Sequence, residues 1–444
     1  MTRMKPLFAL VAAALLTLAF AACGDDDGGG GETVSGVQSL PSSSCDDVEY
    51  GGDGDADALI ASNLPMQGDS ADRSNQMVDS IRQQLDDSDW KAGDVKVAFQ
   101  ACDDSIEDTG EWDEAQCKDN ANAYADNSDV IGVIGTYNSG CAAVEIPILN
   151  EAPDGGVAMV SPGNTLVCLT EPSPTCDVDT DSLYPSGDRN YARVVPNDAA
   201  QGAGLAQFAA DQGIQNPYVL YAAEDPTSKG QAETFRGAAA AAGMTLAGFG
   251  VWDDKAPNYT KLMSDVGDSG ADAVLLAGLL DQNGAKLIQD KVAVLGPNDG
   301  DVKLLAPDGF AQQETIDQAA EASKGMFVSV PGRTPESLTG PGKEFVDQLQ
   351  DTIGDAPVEL FSPYSGQAAA VVLDAIGAGG ADRAAVIEEL FKTDVKDGIV
   401  GDFSIKASGD PSASTISVSV AGDTFELEQE VTPDQELIDA AAKG

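Results

Sequence analysis

The sequence predicts a two-lobed α/β protein, each lobe a doubly wound parallel sheet, with several crossover strands joining them. Three observations lead there. The folded part of the 444-residue chain is too long for one ordinary core. Short buried-type strands alternate with helical stretches from about residue 57 onward. The alternation breaks twice and then resumes, as it would where the chain passes from one lobe to the other.

The first 22 residues stand apart from that body. Arg3 and Lys5 precede an apolar run, Leu7–Ala22, broken only by Thr17 and followed by Cys23. The run is shorter than the ~20 residues of a membrane-spanning helix and reads as a signal peptide. Phe20-Ala21-Ala22-Cys23-Gly24 resembles the bacterial lipobox, although Phe20 stands where leucine is usual. The resemblance implies lipidation at Cys23 and anchoring to the outer face of the cell membrane. Residues 23–44, rich in Gly, Ser and Asp, are expected to form a flexible tether.

Strands are expected at Ala58–Asn63, Val95–Ala101, Val130–Gly135 and Val157–Ser161, then at Tyr218–Ala222, Leu246–Trp252, Ala273–Ala277, Lys303–Ala306 and Met326–Val330. Each is a short apolar run, as parallel strands covered on both faces require. Met77, Ile81 and Leu85 recur at i, i+4, i+8 and define one helix face. Further helices are expected at Asp198–Asp211, with Asp198 as N-cap, and at Lys229–Ala242, Asn283–Val294 and Tyr364–Ile376. The breaks fall at the Cys- and Pro-rich loop before Tyr191–Asp198 and at Val330–Pro335. The C-terminal stretch from Ile399 alternates in the β manner with hairpin-like turns. The expected lobes are 45–195 plus 332–395, and 196–331 plus 396–430. Ligands of such sheets bind beyond the carboxyl ends of the strands, which in two facing lobes is a cleft.

Composition excludes several functions. There is no histidine, which removes Ser-His-Asp and Cys-His catalysis and histidine-based zinc sites. Lys+Arg number 24 against Asp+Glu 74, and loss of Arg3 and Lys5 gives 22 − 74 = −52. Such a surface repels nucleic acid and anionic lipid and is read as a solvating one. Six cysteines remain after Cys23, an even count in an exported chain that suggests disulfides. Cys168 and Cys176 enclose a short loop and are expected to pair. Cys102 and Cys141 each follow a predicted strand and are the next expected pair, leaving Cys45 and Cys117.

Gly202-x-Gly204 lacks a third glycine and has no strand directly before it, so helix packing explains it better than a dinucleotide. Asp53, Asp55 and Asp57 alternate as in a calcium loop, but Ala58 and Leu64 occupy the positions of its glycine and glutamate. No metal or cofactor is expected. Cys141 has no histidine to activate it and is read as half of a disulfide. Acids are too abundant for any pair to stand out as catalytic, so no enzyme is expected.

"VIGVIGTYNSGCAAVEIPILNEAPDGGVAMVSPGNTLVCLT", Val130–Thr170, resembles the heart of the branched-chain amino acid binding proteins of ABC importers. There, a strand ends in a glycine and a serine-bearing loop, a helix follows, and a second strand ends in Ser-Pro-x-x-Thr. Here these are Gly135, Ser139 and Ser161-Pro162-Gly163-Asn164-Thr165. "YARVVPNDAAQGAGLAQFA" is similar to the family's first lobe crossing, and "LLAPDGF" to its later strand with an acidic residue, Asp308. "ASKGMFVSV" and "GDFSIKASGD" resemble its C-terminal segments, so the likeness spans about residues 57–425.

The resemblance implies a substrate-binding lipoprotein that hands an amino acid or related polar solute to a membrane permease, acting as a monomer. The same fold also serves ligand sensors not coupled to transport, the alternative function. A free amino acid needs fixed partners for its carboxylate and its ammonium. By carry-over, Ser139, Thr165 and the Gly163–Asn164 backbone hold the carboxylate and Asp308 the amine, and Leu280 in "GLLDQN" lines the cleft. Two cations stand where the family has aromatics. Lys229 is either a ligand contact or a surface residue, and Arg73 is read as a surface residue.

Overall fold

The computed structural model describes residues 33–107, 110–223 and 225–444. The signal peptide and the lipidation candidate Cys23 lie outside the described residues.

The chain enters through a small hairpin, β1 (Thr33–Val34) and β2 (Val37–Gln38), then builds β3 (Ala58–Leu64), β4 (Lys91–Ala92), β5 (Val95–Asp103), β6 (Val130–Gly135), β7 (Ala158–Ser161) and β8 (Tyr191–Arg193). Helices α1 (Ala71–Asp87), α2 (Glu114–Asp126) and α3 (Ser139–Asn150) intervene. The first sheet runs β4-β5-β3-β6-β7-β8, parallel except for the β4 edge. Every residue of β3 and β6 is buried, because helices cover both faces.

The hairpin corrects the expected tether. Val37 and Leu40 are buried against this lobe, and the Leu40 N–H donates to Gln100 Oε1 at 2.8 Å. Two apolar side chains in the polar stretch are enough to dock its end.

The chain then crosses to a second lobe: β9 (Pro217–Ala222), β10 (Gly248–Trp252), β11 (Ala273–Ala277), β12 (Lys303–Ala306) and β13 (Phe327–Pro331), with α4 (Asp198–Asp211), α5 (Pro226–Ala241), α6 (Thr260–Asp268), α7 (Gly284–Leu295) and α8 (Gln313–Ala319). It returns to the first lobe as α9 (Pro341–Ile353), α10 (Ser362–Gly379) and α11 (Arg383–Leu390), makes a short hairpin, β14 (Asp394–Val395) and β15 (Phe403–Ser404), and recrosses. β16 (Ile416–Ala421), β17 (Phe425–Val431) and α12 (Gln435–Ala441) finish the second lobe. Its sheet runs β10-β9-β11-β12-β13-β16-β17, parallel up to β13 and antiparallel beyond. β17 places Glu426, Glu428 and Glu430 on the outer edge, where charge discourages pairing with another chain.

Each lobe has two cores, one per sheet face. In the first, α1 and α10 cover one face, where Met77, Ile81 and Leu85 are all fully buried, while α2 and α3 cover the other. In the second, α4, α5 and α12 oppose α6 and α7. The expected N-cap of α4 moves by one residue. Asn197 accepts from the Ala199 and Ala200 N–H groups, which leaves the Asp198 carboxylate free for another use.

The disulfides are Cys45–Cys102, Cys117–Cys141 and Cys168–Cys176. The last is the expected pair. Cys102–Cys141 is not formed, because β3 lies between the strands that precede them. Cys102 instead meets Cys45 across an antiparallel bridge, and packing of α2 on α3 brings Cys117 to Cys141.

Candidate functional site

The carboxyl ends of β6 and β7 in one lobe face those of β11 and β12 in the other. Between them lies a cavity of about 460 Å³. Arg73, Tyr137 and Asn138 line it from the first lobe, and Leu280, Asp281 and Gln312 from the second.

The loop after β7 is built from its own hydrogen bonds. The Ser161 hydroxyl accepts from the Gly163 and Asn164 N–H groups at 3.1 and 2.8 Å. Asn164 is fully buried, donating through Nδ2 to the Tyr137 carbonyl and accepting from the Tyr191 hydroxyl. Its side chain is spent holding two loops together. Ser139 opens α3, and its hydroxyl accepts from the Leu166 N–H at 3.3 Å. Thr165 is buried, and its carbonyl accepts from the Asp198 N–H at 2.8 Å. The structure therefore gathers Ser139, Gly163, Asn164 and Thr165 into one cluster of loops, although none of them lines the 460 Å³ cavity. Behind it, the Cys117–Cys141 disulfide packs against Asp104 and Glu145. Burial pushes both carboxyls well above their usual range, helped at Glu145 by the charge of Asp104 and at Asp104 by that of Asp103.

On the second lobe, Asp308 Oδ1 accepts from Gln201 Nε2 at 2.8 Å and from Gln231 Nε2 at 3.4 Å. Leu280 is buried, and its N–H donates to the Gly309 carbonyl. Lys229 is not brought to the cavity. Its ammonium pairs with Asp177 at 3.1 Å, both side chains being substantially exposed.

Three residues that the sequence reading did not place at the site belong here, with a fourth that it left at the surface. Asp198, Gln201 and Gln231 are 1%, 3% and 6% exposed and line a small void in the second lobe beside Ser329. Both Asp198 oxygens and the side-chain carbonyls of Gln201 and Gln231 are buried without a hydrogen-bond donor among the described residues. Thr165 and Gln231 lie close enough to favour the charged form of Asp198, yet neither makes a well-aligned bond to it. Burial, then the nearby Asp308, pushes the Asp198 carboxyl up to about 7. Burial likewise raises Asp308. The available signal was the Asn197-Asp198 doublet at a helix start, where only one residue can cap. The fourth residue is Arg73. Contrary to the surface reading, it reaches across the cleft, donating from Nη1 to Gln312 Oε1 at 2.8 Å and lying over the Tyr137 ring.

Chemically, one end of the site offers acceptors and carboxylates, which suit an ammonium. The loop cluster beside Asp198 offers the Thr165 hydroxyl and the Ser139 hydroxyl that opens α3, which suit a carboxylate, whereas the Gly163 and Asn164 N–H groups are already given to Ser161. Among the described residues no helix is long and apolar enough to cross a membrane.

Comparison with known proteins agrees with this architecture. A leucine binding protein from Thermotoga maritima is 23% identical and superimposes with a TM-score of 0.72, over 85% of this chain and 99% of that one. A branched-chain amino acid transporter substrate binding protein from Streptococcus pneumoniae, in complex with isoleucine, is 16% identical with a TM-score of 0.69, over 85% and 99%. A solute binding protein of an ABC transporter from R. palustris, in complex with benzoate, is 15% identical with a TM-score of 0.67, over 84% and 96%. At these identities the likeness establishes the fold. A search of curated proteins finds no match. Residues 60–422, most of the chain, match the profile of the periplasmic binding protein family. Two mostly parallel α/β lobes closing on a cleft are the form that family takes, and this chain belongs to the periplasmic binding protein family.

Proposed function

We propose that the chain is the substrate-binding lipoprotein of an ABC importer, tethered outside the cell through Cys23, that captures an amino acid or closely related polar solute between its lobes and delivers it to a membrane permease. The observation that carries this reading is the set of buried acceptors at Asp198, Gln201 and Gln231 beside Asp308. Unpaired buried acceptors are costly, and an ammonium offers the donors and the charge that offset them. The Ser139 and Thr165 hydroxyls take the carboxylate, and the Gly163 N–H joins them by leaving the Ser161 hydroxyl. Closing of the lobes over the solute marks the loaded state for the permease.

Ligand-stripped protein is tested by thermal unfolding against amino acids, amides, urea and small dicarboxylates. A true ligand raises the Tm by mass action. No shift from any member, with the protein folded, overturns the reading. Asp308→Ala removes most of the affinity, and unchanged affinity removes Asp308 from the site. Cys23→Ser releases the protein from membranes if the lipid anchor is correct.

A further inference from the structure

The side chain of the solute is the part of the reading left open, and Arg73 bears on it. Its guanidinium is fixed on three sides. Nη1 donates across the cleft to Gln312 Oε1 at 2.8 Å, Nη2 donates to Ser70 Oγ at 2.9 Å, and Cζ lies 4.1 Å from the centroid of the Tyr137 ring. Tyr137 is itself held edge-on by Phe361 at 5.4 Å. Of the three N–H groups left, Nε–H is buried and has no acceptor among the described residues. A charged group left with an unmet N–H favours any solute that brings an oxygen to it. Because the Gln312 contact spans the lobes, opening the cleft exposes the guanidinium to an entering solute, and closing encloses the two together.

The charges around Arg73 decide what kind of oxygen fits. Asp281, Glu111 and Glu314 line the same cavity, and Asp308 and Glu359 are near enough to feel the guanidinium. One cation among these carboxylates makes a poor home for a second anion. It also offers nothing to a purely apolar side chain, which would cover the Arg73 donor without bonding it. A planar group with a carbonyl oxygen on one side and N–H donors on the other meets both demands.

Resting on the function proposed above, we infer that Arg73 sets specificity for a solute ending in a neutral amide or ureido group. Its carbonyl accepts from Arg73 Nε–H, and its NH₂ faces the Asp281 carboxylate. The site thereby discriminates against branched-chain side chains.

The test is calorimetric titration of wild type, Arg73→Met and Asp281→Asn with glutamine, asparagine, citrulline, glutamate, lysine and leucine. The expected result is that glutamine, asparagine or citrulline binds tightest. Arg73→Met then lowers the ratio of amide affinity to leucine affinity by about ten- to a hundredfold, the worth of one hydrogen bond to a charged group. A loss of packing alone would weaken every solute together and leave the ratio unmoved, and that outcome overturns the inference. So does tighter binding of leucine, glutamate or lysine than of all three amides by wild type. Arg73→Lys, which keeps the charge but not the planar donor set, guards against misfolding of the methionine variant and is expected to lower the same ratio. If none of the six solutes binds but another in the broader panel does, the specificity inference fails while the binding function stands. If no solute in either set binds, the function fails as well.

Discussion

Arg193 and Asp410 form a buried ion pair, Nε to Oδ1 at 2.7 Å, with side chains 0% and 6% exposed. The pair sits where two crossings between the lobes meet, and the Arg193 N–H also donates to the Gly409 carbonyl. The same guanidinium donates from Nη1 to the Asn164 and Leu166 carbonyls and from Nη2 to the Thr170 hydroxyl. It therefore clamps both ends of the loop that presents Thr165. Removing one partner of such a pair strands the other charge, so Arg193→Met should destabilise the protein by about 3–5 kcal/mol in denaturant unfolding. Ligand affinity should fall with it, because the Thr165 loop loses its brace. A variant as stable as wild type would show that the clamp is dispensable.

Asp198 gives the protein a pH signature. Its ordinary value is 3.8 and the fold raises it to about 7, through burial first and then Asp308, with Arg193 opposing. Between these values the unfolded chain sheds the proton that the folded chain keeps. The Asp198 contribution to stability therefore falls as pH rises from 3.8 towards about 7. Asp198→Asn should flatten this part of the stability profile relative to wild type. An ammonium ligand favours the charged carboxylate, so binding just below the raised value should release protons, read as a dependence of binding heat on the buffer's ionisation enthalpy. Identical profiles for the two proteins would remove Asp198 from this role.

The three disulfides close loops of different length, with sequence separations of 57, 24 and 8. By loop-closure entropy, loss of Cys45–Cys102, Cys117–Cys141 or Cys168–Cys176 should cost about 4, 3.5 and 2.5 kcal/mol respectively. Paired Cys→Ala variants in urea test the order. Loss of Cys117–Cys141 should also weaken ligand binding, because that bridge backs the start of α3. The opposite ranking would mean that native packing, not chain entropy, sets these contributions.

Lys229 supplies a negative prediction. Its ion pair with Asp177 is largely solvated, and such pairs contribute roughly 0–1 kcal/mol. Lys229→Ala should leave ligand affinity within about twofold of wild type by calorimetry. A large loss would return Lys229 to the binding site.

Much of the fold was legible because periodicity is local. Val130–Gly135, Ala273–Ala277 and Lys303–Ala306 form strands over the same residues that their apolar runs mark. The Met77, Ile81 and Leu85 stripe is buried because a helix repeats every 3.6 residues whatever packs on it. The short hairpin at Thr33–Gln38 escaped notice, since its buried Val37, and Leu40 just beyond it, sit in a stretch of linker composition.

The alternation of strands and helices, the absence of histidine and the closure of the Cys168–Cys176 loop were legible in the sequence alone. These depend on neighbours along the chain or on composition. The tertiary structure alone decided which side chains meet across distance. Strand order put β3 between Cys102 and Cys141 and sent each to another partner. Capping by Asn197 freed Asp198 to turn inward beside Asp308. Approach of the lobes brought Arg73 onto Gln312, 239 residues away in sequence. A charge reads the same in sequence whether it faces water or a cleft. Only the packed chain fixes its solvation and its partners, and with them its part in binding.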